Sequence, residues 1–523
     1  MLKNNKFVGL IILDGFGLRN EINGNAIKLA NPINFDYYFK NYPSTKLSAS
    51  GEAVGLPKDQ MGNSEVGHLN IGAGKIVNQS LQKINNSIKT GEFYSNVNII
   101  DTLTHAIKNN STLHIMGVLS DGGVHGHINH LFALLKMAKK SGVKKVAVHA
   151  FLDGRDTAIN GGLKFVKQLK KVLKNYDNYN IATVMGRSYA MDREQNYDKT
   201  KMAYNAIVFG NAEYYSNDVI SAVKNSYLNN VYDEFIKPIV ITKDEQPIGT
   251  VNNNDAVIFY NFREDRARQL TASLIENFNE FNVKKLSNVK MCTFTCYDDD
   301  FKKPIVAFPK DDLSVNLSSV ISENGLKQFK IAETTKYAHV TYFINGGIEQ
   351  PFKNEDRVLV ETIKDVPFEK VPQMRAVEIT DKAIQLINSK KYSYMVINYS
   401  NPDMVGHTGN LQATIKAIKV VDDQLKRLVD QILAVNGTAV IVADHGNAEL
   451  MLDKKGNVVT SHTTNKVPFI IVDNNFSGAL NKQGVLGNVA PTILQLLGIK
   501  SPKEFELPSL IVNNWHLKFN YIY

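Results

Sequence analysis

Residues 7–17 read FVGLIILDGFG, an apolar run from Phe7 to Leu13 that ends on a carboxylate, Asp14, followed by glycine. A short, partly β-branched apolar run of this kind predicts a strand buried on both faces, as in a parallel sheet flanked by helices. In such sheets ligands bind beyond the carboxyl ends of the strands, where Asp14 falls. The same device recurs twice. The run YMVINYS leads to Asp403 in INYSNPDMVGHTG, and AVIVA leads to Asp444 and His445 in VADHGNAE. Taken alone, an Asp after a strand is a turn or N-cap residue. Three acidic strand ends in one chain point instead to a shared site.

Other stretches enlarge that set. His407 follows Asp403 by four residues, although Pro402 and Gly406 predict a loop there rather than one helical face. His462 lies in SHTT, and Ser64 lies in MGNSEVGHLNIG between Gly62 and Gly67. The remaining nine of the twelve histidines read as core or surface groups. Carboxylates and imidazoles in this number suit two divalent cations, and the absence of thiolate favours Mn, Mg, Co or Zn. Ser64 reads locally as an N-cap. The same helix start stabilises negative charge, so it would serve an alkoxide or a phosphoserine in metal-activated phosphoryl transfer.

The bulk of the chain is consistent with such an enzyme. Its 523 residues exceed one ordinary core, so two or more domains are expected. A hydrophobic content of 43% with 21% charged residues is that of a soluble globular protein. The net charge of +9 is mild over this length and is compatible with an anionic substrate or with loose nucleic-acid adhesion. No long basic run or aromatic-studded basic stripe points to nucleic acid. The only cysteines, Cys292 and Cys296, form no zinc pattern and no disulfide scaffold, which argues for a reduced, cytoplasmic protein. The first apolar run is too short for a signal peptide and leads straight into Asp14, and nothing reaches transmembrane length.

Apolar runs alternate with helical patterns, which predicts α/β architecture. Strands are expected at Val8–Leu13, Leu113–Leu119, Val143–Phe151, Ile181–Met185, Ala256–Tyr260, Tyr394–Tyr399 and Ala439–Ala443. Helices are expected at Leu131–Lys140, Leu163–Leu173, Ala267–Phe278, Asp381–Ile387 and Leu411–Leu433. If Asp14 and Ser64 share a site with Asp403 through His462, both chain ends form one domain. Residues 1–78 and 312–523 then make a metal-binding domain, and 79–311 a second α/β domain inserted into it. The crossings near Ile76–Gln79 and Pro309–Leu313 would make a hinge. NIGAGKIV lacks the third glycine of a dinucleotide fingerprint and is not a P-loop.

With these residues assembled, the chain resembles the cofactor-independent phosphoglycerate mutases of the alkaline phosphatase-like superfamily. The matching stretches are LDGFG, MGNSEVGHLNIGAG, SDGGVH, FLDGRDT, VMGRSYAMDR, FYNFREDRARQLT, NPDMVGHTG and ADHGNAE. The resemblance implies one manganese held by Asp403, His407 and His462, and another by Asp14, Ser64, Asp444 and His445. Ser64 would be the phosphorylated nucleophile. The inserted domain would grip the substrate through His125, Arg155, Asp156, Arg187, Arg193, Arg263 and Arg266, with Lys336 approaching the phosphate from the metal domain. Arginine forks match both phosphate and carboxylate. Arg155 and Arg187 follow strand-like runs, while Arg263 and Arg266 are expected to open a helix. Between His125, His127 and His130 the residues alone do not choose.

The implied reaction interconverts 3-phosphoglycerate and 2-phosphoglycerate through a phosphoserine, without 2,3-bisphosphoglycerate, in a monomer. Asp156 would shuttle the proton, domain closure would exclude water, and activity would fall toward acid pH. One rival is a two-metal phosphohydrolase on the same scaffold. Another is a basic binding protein with structural metals, which leaves Ser64 and the arginines unexplained. Gly126, Glu264, Thr335 and Ala338 depart from the commonest family wording, beside the implied ligands. The tail IVNNWHLKFNYIY is read as packed or frayed C-terminal structure.

Overall fold

The computed structural model describes residues 6–275 and 278–512. The chain divides into two compact units, Met1–Gln79 with Asp311–Tyr523, and Ser80–Lys310. The second unit therefore interrupts the first in sequence.

In the first unit an eight-stranded sheet runs in the order Glu355–Val360, Gln328–Glu333, Tyr394–Tyr399, Val8–Leu13, Thr438–Val442, Val467–Val472, Ser44–Ser48, Gly484–Val485. Val8–Leu13 pairs in parallel with Tyr394–Tyr399 on one side and Thr438–Val442 on the other. All six of its residues are buried. Such a central strand has no solvent face to make polar, which explains its unbroken apolar sequence. The register sets Leu13 opposite Tyr399 and Ile12 opposite Val442. The segments bearing Asp14, Asp403 and Asp444 consequently leave the same end of the sheet together.

Two glycines allow those loops to close. Gly15 takes a left-handed φ of +73°, and a Cβ there would lie 2.9 Å from Asp403 Cα. Gly67 lets the helix Ser64–Ala73 press against the Asp444 loop, where a Cβ would meet the Asp444 carbonyl oxygen at 2.8 Å.

In the second unit the sheet order is Ile305–Val306, Lys290–Thr293, Ala256–Phe259, Leu113–Val118, Val146–Leu152, Tyr179–Gly186, Ile239–Lys243, Tyr214–Ser216. Pairing is parallel from the first strand through Tyr179–Gly186. Alternate residues fill a core on each face: Ile115, Val148 and Ile258 on one, Met116, Phe151 and Phe259 on the other. Asp153, Arg155, Asp156 and Arg187 lie just beyond the carboxyl ends of two of these strands.

Two of the expected strands, Val8–Leu13 and Tyr394–Tyr399, match the structure residue for residue, and several elements differ at their ends. Val143 belongs to a helix end rather than a strand, because its N–H donates to Ala138 O just after Gly142 at φ +88°. The helix expected at Asp381–Ile387 begins earlier and spans Ala376–Asn388. That expected at Ala267–Phe278 spans Arg268–Ile275, and residues 276–277 lie outside the described residues. Of the C-terminal tail only Ile511–Val512 is described, paired antiparallel with Ala479–Leu480.

Candidate active site

Two sets of polar residues, one in each unit, carry chemistry. In the first unit Asp14 is fully buried one residue beyond its strand, and Asn398 Nδ2 donates to its Oδ2 at 2.7 Å. Ser64 is the first helical residue rather than the cap. Asn63 is the N-cap, its side chain accepting from Val66 N at 2.9 Å. Ser64 is therefore free to turn its hydroxyl inward, with its Oγ 2.9 Å from His445 Nε2 and 3.3 Å from Asp14 Oδ1.

The loop expected around Asp403 is a short helix, Asn401–Gly406. Pro402 stands at its start, where a missing N–H costs nothing. Asp403 and His407 therefore do share a face, with His407 Nε2 3.2 Å from Asp403 Oδ1. His462 Nε2 lies 3.2 Å from the same oxygen and 3.0 Å from His407 Nε2. Three ligand atoms thus stand at mutual separations near the edge of a metal tetrahedron with bonds of about 2.0–2.2 Å. A second group is Ser64 Oγ, Asp14 Oδ1, His445 Nε2 and Asp444 Oδ2. In it His445 Nε2 is 3.4 Å from Asp14 Oδ1 and 3.5 Å from Asp444 Oδ2. His445 also lies 4.0 Å from Asp403 Oδ1, so it faces both groups. Asp444 Oδ2 is buried without a well-aligned hydrogen bond. Both groups fit a divalent cation by donor type and spacing.

Lys336 projects its ammonium between the two groups. Nζ lies 2.6 Å from Ser64 Oγ, 2.8 Å from Asp14 Oδ1 and 2.7 Å from Asp403 Oδ2. Burial disfavours that charge, but Asp14, Asp403 and Asp444 outweigh it and raise the lysine pKa. Burial likewise pushes the Asp444 carboxyl up, and His445, His68 and Lys336 overcome it to hold the group far below the carboxylate range. Against the cost of its own burial, His445 is raised to about 9 by Asp444, Asp14 and Asp403. A site this rich in buried carboxylate calls for compensating cations.

Several residues here were not singled out in the sequence. His68 groups with Asp14 and Asp444 as possible ligands; its Nδ1 lies 3.2 Å from Asp444 Oδ2 and 2.8 Å from Ser64 O. Its four-residue spacing from Ser64 on a helix was the available signal. Glu449 is wholly buried and links three loops. It accepts from Gly17 N at 3.1 Å, from Asn447 N at 2.8 Å and from Asn465 Nδ2 at 2.9 Å, and also from the Thr463 hydroxyl. Asn447 in turn donates to Asp403 Oδ1 at 2.9 Å.

In the second unit the arginines gather with carboxylates. Arg187 is 1% exposed, and its Nη1 donates to Asp153 Oδ1 at 2.6 Å and Asp156 Oδ2 at 2.5 Å. Asp153, also missed in the sequence, accepts further from Asp156 N, Arg155 N and Ser120 Oγ. Arg155 is half-exposed, with Glu234 3.7 Å away. Arg193 and Arg263 both meet Asp265. Arg266 is buried, donates to Met191 O at 3.2 Å, and has its pKa lowered by burial and by Arg187, Arg193 and Arg155. Arg263 lies in the loop, and Arg266 in the turn, that precede the helix Arg268–Ile275, and neither opens it.

The three nearby histidines now separate. His127 caps a helix, accepting from Asn129 N, and His130 hydrogen bonds Asn85. His125 alone faces the arginines; burial and Arg187 lower its pKa to about 4, so it is neutral at pH 7.

The fold and this donor set define a metal-dependent phosphoryl-transfer class of α/β enzyme, and comparison with known proteins narrows the class. Residues 84–299 match the family described as BPG-independent PGAM N-terminus. A 2,3-bisphosphoglycerate-independent phosphoglycerate mutase of Clostridium acetobutylicum is 48% identical over 507 residues, covering 97% of this chain and 99% of that protein. One from Clostridioides difficile is 46% identical over 509 residues, with the same coverage. A crystal structure of Leishmania mexicana phosphoglycerate mutase at low cobalt concentration aligns with a TM-score of 0.57 at 33% identity, covering 98% of each chain. The chain belongs to the family of 2,3-bisphosphoglycerate-independent phosphoglycerate mutases.

Proposed function

We propose that this mutase, which by its family interconverts 3-phosphoglycerate and 2-phosphoglycerate, passes the phosphoryl group through Ser64. The observation that carries the proposal is the surroundings of the Ser64 hydroxyl. It is 6% exposed, lies at a helix N-terminus, and has His445, Asp14 and the Lys336 ammonium all within 3.3 Å. A cap serine needs none of these; a nucleophile that becomes a phosphoserine needs them all.

In this reading Asp403, His407 and His462 hold one divalent cation, and Asp14, Ser64, Asp444 and His445 hold the other. Manganese is the metal favoured, with magnesium, cobalt or zinc as alternatives. When bound, two such cations neutralise phosphoryl oxygens and lower the pKa of the serine hydroxyl. Ser64 Oγ forms a bond to phosphorus as the bond to the glycerate oxygen breaks. Lys336 places positive charge beside the phosphoryl group. His125, Arg155, Arg187, Arg193, Arg263 and Arg266 retain glycerate, and Asp156 carries the proton between its hydroxyls. The other hydroxyl then takes the phosphoryl group back from Ser64, so no bisphosphoglycerate is required. The segment 79–311 accordingly serves as the substrate-binding domain, and 1–78 with 312–523 as the metal-binding domain.

Both cysteines are free, which supports a reducing cytoplasmic setting. No helix among the described residues is long and apolar enough to cross a membrane.

The test is an assay of chelator-stripped, manganese-reloaded protein given 3-phosphoglycerate and no bisphosphoglycerate, following 2-phosphoglycerate and free phosphate together. The proposal predicts 2-phosphoglycerate without matching phosphate, lost on chelation and lost in Ser64→Ala. Stoichiometric phosphate release would favour the phosphohydrolase reading, and an active Ser64→Ala would remove Ser64 from the mechanism.

A further inference from the structure

Asp265 stands among three of the groups that the proposed function gives to the substrate, Arg193, Arg263 and His125. Its Oδ1 lies 3.1 Å from Arg263 Nε, and its Oδ2 accepts from Arg263 Nη2 at 3.4 Å, so both carboxylate oxygens face one guanidinium. The same Oδ2 accepts from Arg193 Nη1 at 2.8 Å, and Oδ1 lies 3.7 Å from His125 Nδ1. Neither Oδ1 nor His125 Nδ1 has a well-aligned hydrogen bond, and both atoms are buried. Three groups assigned to the substrate thus converge on one resident carboxylate.

This pairing differs in kind from that of Arg187. Arg187 is buried between Asp153 and Asp156, so releasing it would strand a buried charge. Arg193 and Arg263 are 43% and 48% exposed at the side chain, and Asp265 is 28% exposed. Ion pairs this wet are individually weak and exchange partners readily. One arginine is fixed, therefore, while two are held by a carboxylate that can yield.

We propose that Asp265 is an internal competitor for the substrate's anionic groups: it pairs with Arg193 and Arg263 and gives them up when phosphoglycerate binds. The inference rests on the arginine assignment made above. Asp265 keeps the cluster from closing on stray anions, and by reclaiming the arginines it assists product release. Its negative charge within a few ångströms of a bound anion weakens binding by about tenfold at an effective dielectric between that of the protein surface and water.

The experiment compares full-length, metal-loaded wild type with Asp265→Asn, which keeps the shape and removes the charge. KM for 3-phosphoglycerate and kcat are measured, together with calorimetric binding of inorganic phosphate as a probe. The proposal predicts that KM and the phosphate dissociation constant both fall, by about tenfold, with kcat unchanged or lower as release slows. A rise in both constants would overturn it, because Asp265 would then be aligning the arginines rather than competing with substrate. Unchanged constants would overturn it equally. Asp265→Ser is the second variant should the asparagine protein not fold by circular dichroism. Arg187→Ala separates the two levels: if it leaves both constants unaltered, the arginine assignment fails, whatever Asp265 does.

Discussion

Replacing Asp153 tests how the arginine cluster is held. Four donors converge on this carboxylate: Arg187 Nη1 at 2.6 Å, Asp156 N at 3.0 Å, Arg155 N at 3.3 Å and Ser120 Oγ at 2.7 Å. Burial pushes the carboxyl pKa up, yet these bonds and the Arg187 charge bring it below its ordinary value, so the ionised form is the one the fold stabilises. In Asp153→Asn the amide oxygen can keep the three donors of Oδ1, and the amide NH₂ can face a rotated Ser120 hydroxyl. What is lost is charge, so the cost is the difference between a charge-assisted and a neutral hydrogen bond, about 1–2 kcal/mol. In Asp153→Ala the donors lose their acceptor and Arg187 keeps only Asp156 of its two carboxylates. Buried donors left unsatisfied cost about 1–3 kcal/mol each, and with partial relaxation and water entry about 3–5 kcal/mol is expected in all. Urea unfolding would read both costs, and kcat/KM would show the arginines losing alignment, with Asp153→Ala reduced by at least about a hundredfold. Equal stability losses in the two variants would refute the argument, since charge and hydrogen-bond count would then not be what matters. So would a near-normal kcat/KM in Asp153→Ala.

Two other perturbations address the metal-binding unit. Glu449→Gln places an NH₂ group among backbone and side-chain donors that now meet a carboxylate, loosening the loops of Asp14, Asp444 and His462 together. Manganese affinity, titrated on stripped protein, should weaken about 10–100-fold with the fold retained, and an unchanged affinity would show that Glu449 does not position ligands. Glu333 is fully buried, and burial raises its pKa to about 7 despite bonds from Arg375 N and the Thr362 hydroxyl. Because the folded state holds this proton more tightly than the unfolded chain, the stabilisation is complete below about pH 4.5 and lost as pH rises through about 7. The effect is of order 3 kcal/mol, so urea unfolding at pH 5 and pH 8 should show Glu333→Gln gaining on wild type at the higher pH. A constant difference between the two proteins would contradict the assignment.

How much of this was legible in the sequence follows from the range of each interaction. Val8–Leu13 and Tyr394–Tyr399 were readable to the residue because a strand buried on both faces is dominated by apolar residues, with Asn398, which donates to Asp14, the one polar exception in the second. Asp14, Asp403 and Asp444 were readable because each lies within four residues of the carboxyl end of such a strand. Pro402 misled, since a residue that breaks a helix interior is accommodated in the first turn, where it stands in the helix Asn401–Gly406. Ser64 was read as the cap when Asn63, equally suited, takes that place one residue earlier. Glu449, Asp153 and Asp265 were passed over for a different reason. Each acts through partners far off in sequence: Glu449 reaches back to Gly17, and Asp265 forward in space to Arg193 and His125. No local pattern encodes such pairings. Among His125, His127 and His130, only the turn that aims the first toward the arginines tells them apart.

The central claim is that phosphorus is bonded to Ser64 during turnover. Manganese-loaded enzyme would be mixed with 3-phosphoglycerate, quenched in acid within one turnover, digested and analysed by mass spectrometry. The account predicts a phosphopeptide carrying the added phosphate on Ser64, formed equally from 2-phosphoglycerate and absent from Ser64→Ala. A quenched enzyme that turns over fully yet never carries phosphate on Ser64, or carries it on another residue, would contradict it.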